Sequence, residues 1–196
     1  SKIDEENVRN KPLMAREKKI AELEKLVGEK RGPYADLADN MILLGMLYFY
    51  QRNDPKRATD MYYDALALYQ QYPDLRQKKR DLNRLYSLIT KSLTNYYWRM
   101  GITTGDFTRG FYEEDGGPLI PADAGVHYLM DRVDELFRRA QQYGDAIDPV
   151  TLLGLSDLLL QLNKARIYTE REKKEADAFE TEVLPLMEKD YAAAKT

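Results

Sequence analysis

The feature that most constrains this chain is an Asp-Pro step at positions 54 and 55, which separates two apolar stripes of helical spacing. The stripes consist of Leu43, Leu44, Leu47 and Tyr48 before the step and of Ala58, Tyr62, Ala65, Leu66 and Tyr69 after it. Such spacing predicts an amphipathic helix on each side. An Asp side chain can cap a helix start, and Pro is tolerated in the first turn because its missing N–H has no partner there. Residues 38–73 are therefore predicted to form a helical hairpin.

The residue types of this hairpin resemble a tetratricopeptide repeat (TPR), a family of stacked helical hairpins. The matching positions are Leu44, Gly45 and Tyr48 on the first helix, Ala58, Tyr62 and Ala65 on the second, and Pro73 at the end. The chain departs from the family pattern by one residue in the second helix, by about three residues at Pro73, and by Met41 at the tryptophan position. The resemblance implies a concave surface, lined by the first helix of each hairpin, that holds a protein or peptide.

The remainder of the chain shows further helical patterns that extend this interpretation. Leu136-Phe137 with the Gln-Gln-Tyr that follows echoes Leu68-Tyr69 with its own Gln-Gln-Tyr, and Asp148-Pro149 repeats the Asp-Pro step. We predict one all-α domain over residues 1–196, a short superhelix of stacked antiparallel hairpins. Its predicted parts are a capping helix at 12–31, hairpin 1 at 33–73, hairpin 2 at 82–144 and hairpin 3 at 149–192, the last with its turn at Asn163-Lys164-Ala165.

A long loop at 101–123 interrupts the second predicted hairpin. Five glycines and two prolines exclude a continuous helix there, and a short β-hairpin is compatible with residues 107–120. Loops of this length in compact domains are usually functional, so we expect this one to determine specificity. Replacement of 106–117 by a short linker is expected to leave the helices intact. Glu113, Glu114 and Asp115 offer oxygen ligands, but their spacing is not that of a calcium loop, which favours a solvated turn.

Composition argues against several classes of function. The chain has no cysteine and a single histidine, His127, and it lacks the phosphate-loop, nucleophile-elbow and metalloprotease motifs. We therefore expect no enzyme activity, no cofactor and no metal. The net charge of −3 disfavours nucleic acid as a partner, and the basic run at 76–84 is interpreted as a solvated helix start. No apolar run is long enough to predict membrane insertion.

Compartment is left open by the sequence. The chain begins Ser-Lys rather than with Met, which is compatible with a removed leader or with a trimmed start. Both a cytoplasmic and an exported or periplasmic location agree with a chain that has no cysteine. Self-association is also left open.

Tyrosine is the remaining signal, with 15 copies against 5 of phenylalanine. Tyrosine is enriched at protein interfaces, although many copies in a repeat protein serve as half-buried spacers. The predicted partner-binding residues, in a groove and on the loop, are Tyr48, Tyr50, Gln51, Tyr96, Arg99, Phe107, Phe111 and Tyr112. The predicted function is a non-enzymatic protein–protein interaction scaffold or adaptor. A structural subunit of an envelope, filament or motility assembly and a small-ligand carrier with an aromatic pocket between hairpins remain as alternatives.

Overall fold

The computed structural model describes residues 13–30, 32–76, 79–100, 110–113, 117–142 and 148–194. The helices of these ranges are α1 (Leu13–Glu29), α2 (Tyr34–Gln51), α3 (Pro55–Gln71), the short α4 (Pro73–Arg76), α5 (Lys79–Arg99), α6 (Ala122–Gln142), α7 (Pro149–Ala178) and α8 (Leu184–Ala194). Two short strands, β1 (Phe111–Tyr112) and β2 (Leu119–Ile120), lie between α5 and α6. The predicted all-α class is confirmed.

The hairpin formed by α2 and α3 is as the sequence predicted. The Asp54 carboxylate accepts a hydrogen bond from the Arg57 N–H at 3.0 Å, and Pro55 occupies the first turn of α3. Gly45 lies directly against the Tyr62 ring, which is fully buried. Helices α2 and α3 pack against each other and run in antiparallel directions.

Additional helices cover both sides of this hairpin. Helix α1 packs antiparallel on α2, with Ile20 and Leu23 buried in the contact. Helix α5 packs antiparallel on α3, where the hydroxyls of Thr59 and Ser92 are 2.8 Å apart in a buried contact. This placement agrees with a helix at 12–31 that covers the first hairpin.

Helices α6 and α7 complete the packed part of the molecule, the described residues up to Leu162, which we name the body. Helix α6 lies parallel to α3, since contacts join Asp60 to Tyr128 and, further along both helices, Gln70 to Arg139. Helix α7 packs antiparallel on α6. Its first residues lie beside the start of α5, where the Asp148 N–H donates to the Asn83 side-chain oxygen at 2.6 Å.

The third predicted hairpin, at 149–192, is wrong. Helix α7 runs without a break from Pro149 to Ala178, so the predicted turn at 163–165 does not exist. Asn163 is only a weak helix breaker, whereas Lys164 and Ala165 are strong helix formers, so this segment has no local reason to turn. The chain therefore continues outward as a helix.

The regular α-helical structure that begins with α7 is interrupted shortly before Pro185. A π-helical turn occupies Phe179–Val183, and α8 begins at Leu184, directly before Pro185. A proline ring clashes with the carbonyl four residues earlier in an α-helix, and a wider π turn relieves such a clash. The sequence predicted a kink or an end near Leu184, and the irregularity lies at that place.

The hydrophobic core is confined to the body. It includes Tyr62, Tyr86 and Tyr96, and Leu162 of α7 is the last buried residue of the described chain. Beyond Leu162 the described side chains from Lys164 to Ala194 are exposed to solvent. Among the described helices, none has both the length and the apolar content needed to cross a bilayer.

Candidate functional site

The predicted groove residue Tyr48 proves to be part of the core. Its side chain is buried, and its hydroxyl donates to the Glu24 carboxylate on α1 at 2.7 Å. Burial raises the pKa of this phenol, and the hydrogen bond to Glu24 adds to the effect. The Arg52 guanidinium lies 5.7 Å from the ring centre and also bonds Glu17 at 2.9 Å. Tyr48 therefore joins α1 to α2, and the prediction that it contacts a partner is corrected.

Tyr50 and Gln51 lie at the end of α2 and are half-buried. The Lys91 ammonium donates to the Tyr50 hydroxyl at 3.2 Å and lies 5.9 Å from the ring centre. Tyr50 thereby connects α2 to α5 across the outer surface of the body. Both residues keep part of their surface exposed, so their contact with a partner stays a prediction.

Tyr96 is also a core residue, contrary to the prediction that it lines a groove. It is fully buried, with the Phe111 ring 5.4 Å away in a perpendicular arrangement and the Tyr128 ring at 5.1 Å. Its hydroxyl donates to the Glu113 carboxylate at 2.6 Å. Burial raises the pKa of Tyr96, and the bond to Glu113 raises it further. Its role is to attach the loop to α5.

The two strands of the loop separate the predicted loop residues into a buried and an exposed set. Phe111 is 4% exposed and Tyr112 is 55% exposed, because successive residues of a strand point to opposite sides. Phe111 pairs with Ile120 and Tyr112 with Leu119, which is also 55% exposed. Tyr112 and Leu119 thus form one apolar patch, which we name the hairpin surface. Phe107 lies outside the described residues.

The position of this β-hairpin depends on contacts that the sequence did not suggest. The Arg99 guanidinium donates to the Glu113 carbonyl at 2.8 Å, and the Lys56 ammonium lies 3.9 Å from the Glu113 carboxylate. Phe111 fills space beside Gly125 of α6. The expectation that replacement of 106–117 leaves the helices intact is therefore revised, since Phe111 of this segment belongs to the core.

A network of charges and tyrosines between α3 and α6 was missed by sequence reasoning. The Asp60 carboxylate accepts hydrogen bonds from the Tyr128 hydroxyl at 2.8 Å and from Arg132 at 3.2 Å. The Arg132 guanidinium lies 4.3 Å from the centre of the Tyr63 ring, and the Tyr63 hydroxyl donates to the Arg132 carbonyl. The available signal was the first part of the sequence echo, since Leu136 follows Leu68 by 68 residues, which is also the separation of Asp60 and Tyr128.

The charged groups of this network are paired with one another or with aromatic rings. Asp60 is paired with cationic and hydroxyl donors, and Arg132 is stacked on an aromatic ring, so each charge already has a partner. His127 is exposed on α6. Within the described ranges, no three His, Asp or Glu side chains are grouped so as to hold a metal ion. Of the acidic loop residues, Glu113 is bonded to Tyr96, and residues 114 and 115 lie outside the described ranges.

An exposed apolar surface lies on the C-terminal arm, which we define as residues 163–194. Its members are 42–65% exposed and recur every three or four residues, with two adjacent residues at the third step: Phe179, Val183, Leu186, Met187 and Tyr191. We name this set the arm surface. Sequence reasoning missed it because the predicted third hairpin placed the same residues against a neighbouring helix.

Comparisons with known proteins assign no family to the chain. No family model matches it, and comparison with curated proteins and with solved structures gave no match. The likeness to TPR proteins remains an expectation from residue types. Function is therefore inferred from the surfaces that the fold exposes.

Buried tyrosines lead to a prediction for alkaline pH. Burial, with a contribution from Asp81, raises the pKa of Tyr69 to about 12 from a usual value of 10.0, and burial also raises the pKa of Tyr63 and Tyr128. The pKa of Tyr69 is higher in the folded state than in the unfolded state. The stability that the neutral phenol contributes is therefore fully present below pH 10 and is lost as the pH rises toward 12. We expect the absorbance of ionised tyrosine to rise and the helical circular dichroism signal to fall over the same pH range. Ionisation of these tyrosines in a helix that stays intact would contradict the burial described here.

Proposed function

We propose that this protein is a non-enzymatic protein–protein interaction scaffold or adaptor that binds its partner mainly through the C-terminal arm. The observation that carries the proposal is the arm surface, since Phe179, Leu186 and Tyr191 are 47%, 63% and 65% exposed. Single exposed apolar residues are common on proteins, but contiguous apolar patches usually mark sites of interaction. Here the apolar residues form one stripe along a helix.

The shape of the arm supports a particular mode of recognition. A helix with an apolar stripe is bound either in the groove of a partner or alongside another helix, and anchors three or four residues apart insert together. Phe179 and Tyr191 supply the aromatic anchors that contribute most in such interfaces. The arm begins directly after the last buried residue of the described chain, Leu162, so the body presents it away from the core.

The hairpin surface is proposed as a second contact. Tyr112 and Leu119 are held by Phe111 in the core and by Arg99, so their exposed area is presented on an anchored element. An anchored surface loses little conformational entropy on binding. This retains a role in specificity for the loop at 101–123, while the role proposed for the tyrosine groove is reduced to Tyr50 and Gln51.

A non-enzymatic role is supported by what the described polar groups already do. Asp60, Glu113 and Arg132 hold helices and the loop together through ion pairs and hydrogen bonds. Groups engaged in this way stabilise the fold, whereas a catalytic group must be available to a substrate.

The experiment is capture of the partner from native extract by the full chain and by the variant Leu186→Ser/Met187→Ser. Both side chains are exposed, so the free energy of unfolding of the variant is expected to differ from that of the parent by less than about 0.5 kcal/mol. We expect loss of at least about tenfold in the amount of partner retained, because two apolar contacts are removed. Quantitative mass spectrometry of the captured proteins measures the effect.

The matched control is Tyr112→Ser/Leu119→Ser, which removes two exposed apolar residues from the other surface. If the arm is the main contact, this control retains most of the partner. Equal capture by the parent and the arm variant would refute the role of the arm. Site-specific photo-crosslinkers at positions 179 and 112 then report which surface a captured protein touches, and absence of any crosslink at both positions would refute the proposed function.

A further inference from the structure

The C-terminal arm has opposite charge in its two halves. Residues 163–174 contain five Lys and Arg against two Glu, whereas residues 175–194 contain six Asp and Glu against one Lys. We propose that the arm pairs with the arm of a second copy of this chain in an antiparallel arrangement, an inference that rests on the proposed function. Self-association of this kind would also favour the structural-subunit alternative.

Charge decides the direction of pairing. In an antiparallel pair centred near Asp177, the basic half of each arm lies beside the acidic half of the other. A parallel pair would place basic beside basic and acidic beside acidic, and like charges at an interface are strongly unfavourable. The same arrangement brings each arm surface, from Phe179 to Tyr191, against the other helix.

Contacts within the arm do not remove this asymmetry. Arg171 lies 3.1 Å from Glu175 and Arg166 lies 4.0 Å from Glu170, each one helical turn apart. Exposed pairs of this kind contribute little free energy, so they do not cancel the attraction between two oppositely charged halves. Such pairing does not change the net charge of either half, so the first half of the arm remains positive and the second half remains negative.

The area available predicts a weak dimer. At 1.5 Å per residue the arm is about 45 Å long, and a helix about 10 Å wide then covers roughly 450 Å² on each copy. The total of about 900 Å² is near the lower limit for a specific interface. We expect a reversible, concentration-dependent dimer with a dissociation constant in the micromolar range or weaker, and weaker still at high salt.

The test uses the full chain in sedimentation velocity over a concentration series. An acidic variant, Lys164→Glu/Lys174→Glu, makes both halves acidic, and a basic variant, Glu180→Lys/Glu182→Lys/Glu188→Lys, makes both halves basic. Each variant alone is expected to dimerise at least about tenfold more weakly than the parent. An equimolar mixture of the two is expected to recover a dimer, because opposite charges again meet along both halves.

The matched control is Lys18→Glu/Lys25→Glu, which makes the same charge change on the exposed side of α1 and is expected to dimerise like the parent. A parent that stays monomeric at all concentrations overturns the inference. Variants that dimerise like the parent, or a mixture that does not recover, overturn it as well. If the parent is monomeric but a crosslinker at 179 labels a different protein, only this inference fails; absence of crosslinks at 179 and 112 removes the proposed function too.

Discussion

Replacement of Gly45 by leucine is expected to lower the free energy of unfolding by about 3 kcal/mol or more. A Cβ atom at this position would lie 2.4 Å from Cε1 and 2.7 Å from Cδ1 of Tyr62. The Tyr62 ring is fully buried, so it cannot swing away without opening the contact between α2 and α3. Chemical denaturation of the parent and of Gly45→Leu, followed by circular dichroism, measures the difference.

Two controls separate a steric clash from an effect on helix propensity. Gly154→Ala introduces a methyl group on α7 whose nearest neighbour, a Thr90 methyl, is 3.8 Å away, so it is expected to stabilise by up to about 1 kcal/mol. Gly45→Ala is expected to destabilise the parent but to be much less harmful when combined with Tyr62→Leu, which removes the ring. Parent-like unfolding of Gly45→Leu would show that the two helices do not cross at this glycine.

Phe111→Ala is expected to cost about 3–4 kcal/mol, the usual cost of a cavity left by a buried phenylalanine. The side chain is 4% exposed and packs against Tyr96 and beside Gly125, so its loss leaves space between α5, α6 and the loop. Thermal and chemical unfolding measure the change. A cost of this size would show that the loop belongs to the core rather than being an appendage.

The neighbouring residue provides the control for this prediction. Tyr112 points to the opposite side of the same strand and is 55% exposed, so Tyr112→Ala is expected to change the free energy of unfolding by less than about 0.5 kcal/mol. Equal effects of the two substitutions would contradict the alternation described for β1. If both substitutions changed the free energy of unfolding only slightly, the loop would be dispensable for folding.

The contrast between body and arm has a consequence for how the protein is studied. Stability measurements report on the body, where the tyrosines and the ion pairs between α3 and α6 are packed. Substitutions on the arm surface are expected to leave stability nearly unchanged and to alter association. The two properties can therefore be changed independently in one chain.

Local features were predicted well from the sequence because their causes are local. The Asp54 cap and the position of Pro55 in the first turn of α3 depend on residues only a few positions apart. The disturbance before Pro185 is likewise a property of a proline and the preceding turn. Such features are determined by backbone hydrogen bonds and by steric contact, which a sequence pattern records directly.

The exposure of individual side chains was predicted less well. Tyr96 and Phe111 were expected to face a partner and are buried, whereas Phe179 and Tyr191 were expected to pack in a hairpin and are exposed. A tyrosine or phenylalanine at helical spacing has the same pattern whether its neighbour is the core, a partner or water. The neighbour is supplied by distant parts of the chain, which the pattern does not contain.

By itself the sequence determined the all-α class, the first hairpin with its Asp-Pro turn, and the opposite charges of the two halves of the arm. The tertiary structure alone decided that residues 163–194 leave the body as a helical arm and that the loop is anchored through Glu113 and Phe111. Helix formation follows from interactions between near neighbours, whereas the choice between packing against the body and extending into solvent depends on whether a complementary surface remains uncovered.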